Sequence, residues 1–387
     1  MMVGNSEAFS ILEKLVSFPT VSADGNKELI DYVTSLLSAA GVTFKLFADP
    51  RGDRSSLFAR VGPDVEGGIV LSGHTDVVPV TGQAWSTQPF RLTRRDRYLL
   101  GRGTADMKGF VACAIEAVLD VASDRLVRPL YLALSYDEEI GCVGVRPMLE
   151  FLGSIALRPD LILIGEPTSM NIATGHKGKI AARANCCGVA AHSALAPNGL
   201  NAIHLAADFL SEIRCLQADL TETGSRDPEY DIPYSTIHAG MISGGTALNI
   251  VPDSCVLDFE IRNIAEDDPK QLLHRLFQRA EALTRQTRQR FPSAGISLEL
   301  INDYPGLKET GSAGPEQLVK AGASERRIKV AFGTEGGLFS NALRSPVLVC
   351  GPGSMDQGHR ADEFLEIDQL ERCRAMLARI AQNLRTP

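Results

Sequence analysis

Residues 68–79 read GIVLSGHTDVVP: a short run of apolar and small residues passes straight into a His, an Asp and a Pro. A run of this length, bounded by Gly and without a 3.6-residue rhythm, reads as a strand. Three more runs share this character, at 56–61, 129–136 and 160–165. Helical patterns lie between and before them. Residues 24–40 place Leu29, Ile30, Val33, Leu36, Leu37 and Ala40 on one face and stop at Gly41, and 104–122 and 145–152 also read as helices. Strands separated by helices predict an α/β domain with helices on both faces of a mostly parallel sheet. Ligands of such a sheet gather at the carboxyl ends of its strands, where His74 and Asp76 fall.

Past residue 178 the rhythm changes. Strand 179–188, helix 199–216, strands 236–242 and 254–262, helix 269–289 and strand 296–301 spell β-α-β-β-α-β, the split-βαβ arrangement. Strands near 329–332 and 346–350 and a helix from 368 then return the chain to the first domain. The predicted organisation is one α/β domain in two pieces, 1–177 and 303–387, with an α+β domain inserted at 178–302.

Composition narrows the function. The 387 residues carry 39 Lys and Arg against 47 Asp and Glu, a net charge of −8, which argues against a nucleic-acid partner. No apolar run approaches the ~20 residues that span a bilayer, so no membrane partner is expected. The opening stretch MMVGNSEAFSILEKLVSFPTV has no basic leader, and Glu13 and Lys14 break its apolar run, so it reads as an amphipathic helix. The eight cysteines include no C-x-x-C pair and suit free thiols in a reducing, cytoplasmic setting. Any metal must therefore use His and carboxylate ligands.

Such residues recur at the ends of the predicted strands. His74 and Asp76, two apart, project to one side of an extended chain; they suit a metal ligand with its orienting carboxylate, or a plain hydrogen-bonded pair. Asp106, in GRGTADMKG, follows a glycine turn as a helix begins; it can bridge two metals or answer the helix dipole. Glu138 and Glu139 close the next strand in YDEEIG. Side by side they repel, which calls for a cation or a raised pKa, unless the turn is simply solvated. Glu166 follows the strand 160–165 in IGEPT, and His359 lies in MDQGHRADEF. Two His and four carboxylates without Cys suit a pair of Zn²⁺ or similar divalent ions.

Taken together, HTDVVP, GRGTADMKG, DEEIG, GEPT, AHSALAPNGLNAI, GGTALNIVPD and GHRADEF resemble, in order and over essentially the whole chain, the blocks of the M20 family of metallo-amidohydrolases. The resemblance implies a catalytic α/β domain with an inserted α+β lid that mediates homodimers. It implies two divalent ions, Zn²⁺ or Co²⁺: His74 and Glu166 on one, His359 and Glu139 on the other, Asp106 bridging. Asp76 would orient the His74 ring, Glu138 would be the general base, and His192 would stabilise an oxyanion, from this chain or a partner's; read alone, His192 is a surface-loop residue. Asn249 and Arg262 sit where relatives grip a substrate carboxylate, although a turn cap and a strand-end charge are the plain readings. The substrate implied is a small N-acylated amino acid. The family branch that cleaves N²-acetyl-L-ornithine to L-ornithine and acetate fits best, and other acyl-amino-acid hydrolases or carboxypeptidases are the alternatives. A metal-free binding protein on the same fold is a further alternative, opposed by the intact ligand set. Glu335, in GTEGG, would pair with the distal ammonium of ornithine, or stand in solvent as a loop carboxylate.

Overall fold

The computed structural model describes residues 7–309 and 313–385. Residues 1–6 of the predicted first helix lie outside this range. Packing divides the chain into two units, one formed by 1–175, 307–329 and 334–387, the other by 176–306 and 330–333. The inserted segment thus begins two residues earlier and ends four later than the sequence pattern placed it. Its last strand runs on to Tyr304, past the apolar stretch that marked its end.

The first unit opens with α1 (Glu7–Val16), α2 (Lys27–Ala39), β1 (Thr43–Ala48), β2 (Ser55–Val61) and β3 (Ile69–His74). It continues through β4 (Thr93–Arg95), β5 (Tyr98–Leu100), α3 (Gly109–Asp120), β6 (Leu130–Ser135), α4 (Val145–Ser154), β7 (Leu161–Pro167) and β8 (Ile172–His176). The central strands of its eight-stranded sheet, β6, β3, β7 and β16 (Val347–Gly351), are parallel. Antiparallel β1 and β2 extend one side, and β8 pairs antiparallel with β16 on the other, so the sheet is mixed at its flanks. Helices α1 and α3 join the closing helix α9 (Ile367–Asn383) in a core built from Leu12, Leu15, Val111, Ile115, Met376 and Leu377. Gly165 permits the close approach of α3 to β7: a Cβ there would lie 1.9 Å from the Phe110 ring.

One predicted helix is shorter than its pattern. Residues 104–122 divide, because Asp106 and Met107 leave helical geometry and the regular helix starts only at Gly109. The short strands β4, β5 and β17 (Phe364–Glu366), which form a separate small sheet, are too brief to register in an apolar pattern. The helices α7 (Ala313–Ala321) and α8 (Gly336–Leu343) also lay outside the sequence reading, as did β1 and β8; β15 (Arg327–Val330) starts two residues before its predicted strand.

The second unit contains β9 (Gly178–Cys187), β10 (Ala191–His192), α5 (Ala202–Thr223), β11 (Thr236–Gly244), β12 (Ile250–Val251), β13 (Ser254–Asn263), α6 (Pro269–Arg288) and β14 (Gly295–Tyr304). Its antiparallel sheet has the order β11-β13-β9-β14. Burial alternates along β9 and β13, and the inward residues pack on α5 and α6. Among the described residues no helix is long and apolar enough to cross a membrane.

Candidate metal centre

The carboxyl end of β3 presents His74 between two acids. Its Nε2 lies 3.1 Å from Asp106 Oδ1 and 3.8 Å from Glu166 Oε1, at the end of β7. The other Asp106 oxygen, Oδ2, lies 3.0 Å from His359 Nε2, which is also 3.0 Å from Glu139 Oε2. One carboxylate therefore faces an imidazole on each side, and each imidazole meets a further acid. Ligand atoms of His74, Asp106 and Glu139 lie within 4.8 Å of one another, as do those of His74, Glu138 and Glu166. Five sequence-predicted ligands and Glu138 are thus brought together. This set of imidazole and carboxylate donors, mostly buried and without thiolate, fits divalent metal of the Zn²⁺ class.

Asp76 does more than the sequence suggested. The His74 ring donates its closest hydrogen bond, from Nδ1, to the Asp76 backbone carbonyl at 2.9 Å, with the carboxylate at 3.5 Å. That carboxylate accepts the N–H groups of Glu138 and Glu139 at 3.1 and 3.3 Å and the Ser22 hydroxyl at 2.7 Å. It thereby ties the β6 turn to the β3 end. The two glutamates are not on extended chain: β6 stops at Ser135, and Asp137 takes a left-handed φ of 54°. Asp137 is pinned there by the buried Arg54 and by the Ala23 N–H at 2.8 Å.

Sequence reasoning missed the support beneath Asp106. Glu363, fully buried, accepts the N–H groups of Ala105 and Asp106 at 2.9 and 3.1 Å through Oε1, and its Oε2 takes the Arg102 guanidinium at 2.7 Å. Asp106 is accordingly held by a carboxylate where the sequence suggested a helix N-terminus. Arg102 stood in view between Gly101 and Gly103, and Glu363 sits four residues past His359; a buried acid needs a buried base, but nothing local pairs positions so distant in sequence. Lys108 adds a further clamp, donating to the Leu15 and Phe18 carbonyls at the end of α1.

The electrostatics describe a cage of acids short of positive charge. Burial pushes Glu138 and Glu166 well above the ordinary carboxylate range, and it pushes Glu139 up to about 7, with Asp106 adding to the rise. Asp106 goes the other way: burial opposes its charge, but hydrogen bonds to His359 and His74 outweigh it and hold the carboxyl far below the usual range. The same bonds from Asp106 and Glu139 lift His359 to about 10.

The remaining predicted residues divide between the units. Glu335, just before α8 in the first unit, is no solvated loop acid: it is 1% exposed, and burial raises it to about 7. The Ser72 and Ser135 hydroxyls lie beside it, yet its Oε1 has no aligned partner. In the second unit β10 pairs with β12, and the Ser193 N–H donates to the Asn249 carbonyl at 2.9 Å, so His192 and Asn249 are neighbours. His192 Nδ1 accepts the Ala194 N–H at 3.1 Å, which leaves the ring proton on Nε2. Arg262 is less free than expected: Nε and Nη2 pair with Glu260 at 3.0 and 3.4 Å, and Nη1 donates to the Tyr304 hydroxyl at 3.0 Å.

Comparisons with known proteins agree with this architecture. Residues 70–383 match the family model described as Peptidase family M20/M25/M40. The chain is 32% identical over 385 residues to an acetylornithine deacetylase of Proteus mirabilis (strain HI4320), covering 96% of this chain and 95% of that one. It is 34% identical over 379 residues to an acetylornithine deacetylase of Pasteurella multocida (strain Pm70), covering 95% of each. Among solved structures, an M20 family metallo-carboxypeptidase from Sulfolobus solfataricus aligns with a TM-score of 0.77 at 17% identity, over 98% of this chain and 99% of the other. A dinuclear metal binding peptidase of the M20 family from Bacillus subtilis aligns with a TM-score of 0.64 at 14% identity, over 98% and 97%.

Proposed function

Since the chain belongs to peptidase family M20/M25/M40 and is a metallo-amidohydrolase, we propose that it hydrolyses the acetyl amide of N²-acetyl-L-ornithine, yielding L-ornithine and acetate. The observation that carries the reading is Asp106, with one oxygen toward each of two histidines. In this reading His74 and Glu166 would hold one divalent ion, His359 and Glu139 the other, and Asp106 would serve both. When bound, such ions polarise the scissile carbonyl and lower the pKa of water. Zn²⁺ suits the donor set best, and Co²⁺ suits it as well.

The chain's own groups then do the proton work. Glu138, raised by burial, takes the proton of the attacking water and returns it to the departing amine nitrogen. By the family resemblance, His192, of this chain or a partner's, would donate to the oxygen where negative charge builds, and Arg262 and Asn249 would receive the substrate's α-carboxylate. Glu335, buried with an unmatched oxygen, is the partner for the distal ammonium. The eight unpaired thiols suit a cytosolic enzyme.

A metal-reconstituted sample assayed on N-acetylornithine, N-acetylnorleucine, N-succinyl-diaminopimelate, N-acetylmethionine and dipeptides tests this. N-acetylornithine is expected to have the highest kcat/KM. Glu335→Gln should lose about tenfold or more of the preference over N-acetylnorleucine, the order of one lost charged hydrogen bond. A preference for the succinyl substrate or for dipeptides would reassign the enzyme within its family.

The same reading makes the protein a homodimer through the inserted unit. Strand β11 is an edge of its sheet, its sequence TIHAGMISG carries no charge or Pro to guard it, and Met241 and Ile242 are exposed. The other edge, β14, carries Glu299 and Asp303. Pairing of two β11 strands covers the unguarded edge. Met241→Lys with Ile242→Lys should shift the molar mass measured by light scattering from dimer to monomer at micromolar protein; an unchanged mass would exclude this edge.

A further inference from the structure

The Glu138 carboxylate has one more neighbour that the mechanism above leaves idle. Cys142 Sγ lies 3.5 Å from Glu138 Oε1, within reach of an S–H···O hydrogen bond. Cys142 is fully buried and holds a left-handed φ of 53°, a conformation costly for a residue with a Cβ. Its own N–H donates to the Glu138 carbonyl at 2.8 Å, and the Gly141 N–H reaches the same oxygen at 2.9 Å. The turn therefore closes on Glu138 twice, through the backbone and through the thiol. Burial pushes the thiol far above its ordinary pKa, with the charge of Glu138 adding to the rise, so the sulfur keeps its proton and can donate it.

We propose that Cys142 is a positioning residue for Glu138, its S–H holding Oε1 so that Oε2 is the oxygen that receives the water proton. This rests on Glu138 being the general base.

The test uses the metal-loaded full-length protein with Cys142→Ala and Cys142→Ser, which both keep a Cβ and so the same backbone cost. Cys142→Ala is expected to lower kcat about tenfold, the order of one hydrogen bond to a charged group, with KM and bound metal unchanged. Cys142→Ser, which keeps a donor, should stay within about threefold of the parent kcat. In a Glu138→Asp background, where the carboxylate is drawn back from the sulfur, Cys142→Ala should cost less than about twofold. The proposal is overturned if Cys142→Ala leaves kcat intact, if Cys142→Ser is as slow as Cys142→Ala, or if the tenfold loss persists in the Glu138→Asp background. Should Cys142→Ala fail to fold, Cys142→Gly, which also lacks a donor and suits the left-handed φ, takes its place with the same expected loss of kcat. Glu138→Gln in the same series separates the two claims: if it stays active, the base assignment fails first.

Discussion

Glu138→Gln is expected to lower kcat by about 10³- to 10⁴-fold, at the upper end of what a general base contributes, while bound metal and KM stay close to the parent values. The substitution keeps the size and hydrogen-bonding shape of the side chain and removes only its ability to take a proton. Its sign with pH follows from the position of the group. Burial raises the Glu138 carboxyl well above its ordinary value, and the negative charges of Glu139 and Glu335 push the same way. The base works only when deprotonated, so kcat/KM should rise with pH along the acid limb, and divalent ions bound alongside draw that limb to lower pH. The Gln variant should have no such limb in its residual rate. Steady-state kinetics from pH 5 to 9, with metal content by atomic spectroscopy, measure both effects. A variant within tenfold of the parent would remove Glu138 from the chemistry.

Asp106→Asn should abolish turnover by a different route, through loss of bound metal. The parent is expected to hold about two ions per chain and the variant one or none, with activity down at least ~10³-fold. The metal-free protein compensates for Asp106 with protons, and uptake must expel them. His359 stands at about 10 and Glu139 at about 7 in the absence of ions, so both are protonated to a large extent at neutral pH. Ligands must be deprotonated to bind, so affinity should rise with pH and fall steeply below about 7, with protons released on binding. Calorimetry of Zn²⁺ binding in buffers of different ionisation enthalpy counts those protons. Uptake that is independent of pH would contradict the geometry in which His359 and Glu139 share one ion.

The candidate ligands were more legible in the sequence than what holds them. His74, Glu138, Glu139 and Glu166 follow apolar runs that end abruptly, because strands buried on both faces must be apolar until they leave the sheet. Asp106 was visible as a residue but misjudged as a conformation. Its neighbours Thr104 to Lys108 have helical composition, and only the carboxylate of Glu363, more than 250 residues on, takes the amides that would start a helix there. The Arg102–Glu363 pair and the link from Asp76 to the β6 turn are equally non-local, and no periodicity records them. Arg262 shows the same limit from the other side. Its strand position was readable, but its engagement with Glu260 depends on side-chain geometry within one strand. Order in the large sheet was beyond reach because short connections and inserted segments give the same local pattern for several arrangements.

The split of the first unit bears on how the enzyme is made. A chain emerging amino-terminus first carries His74, Asp106, Glu139 and Glu166 before the inserted unit has been translated, and acquires His359 and Glu363 only after it. Until then the chain lacks both the second imidazole and the carboxylate that shapes Asp106. A nonsense codon anywhere in the inserted unit would therefore leave a nascent product with four of the five proposed metal ligands and no complete site.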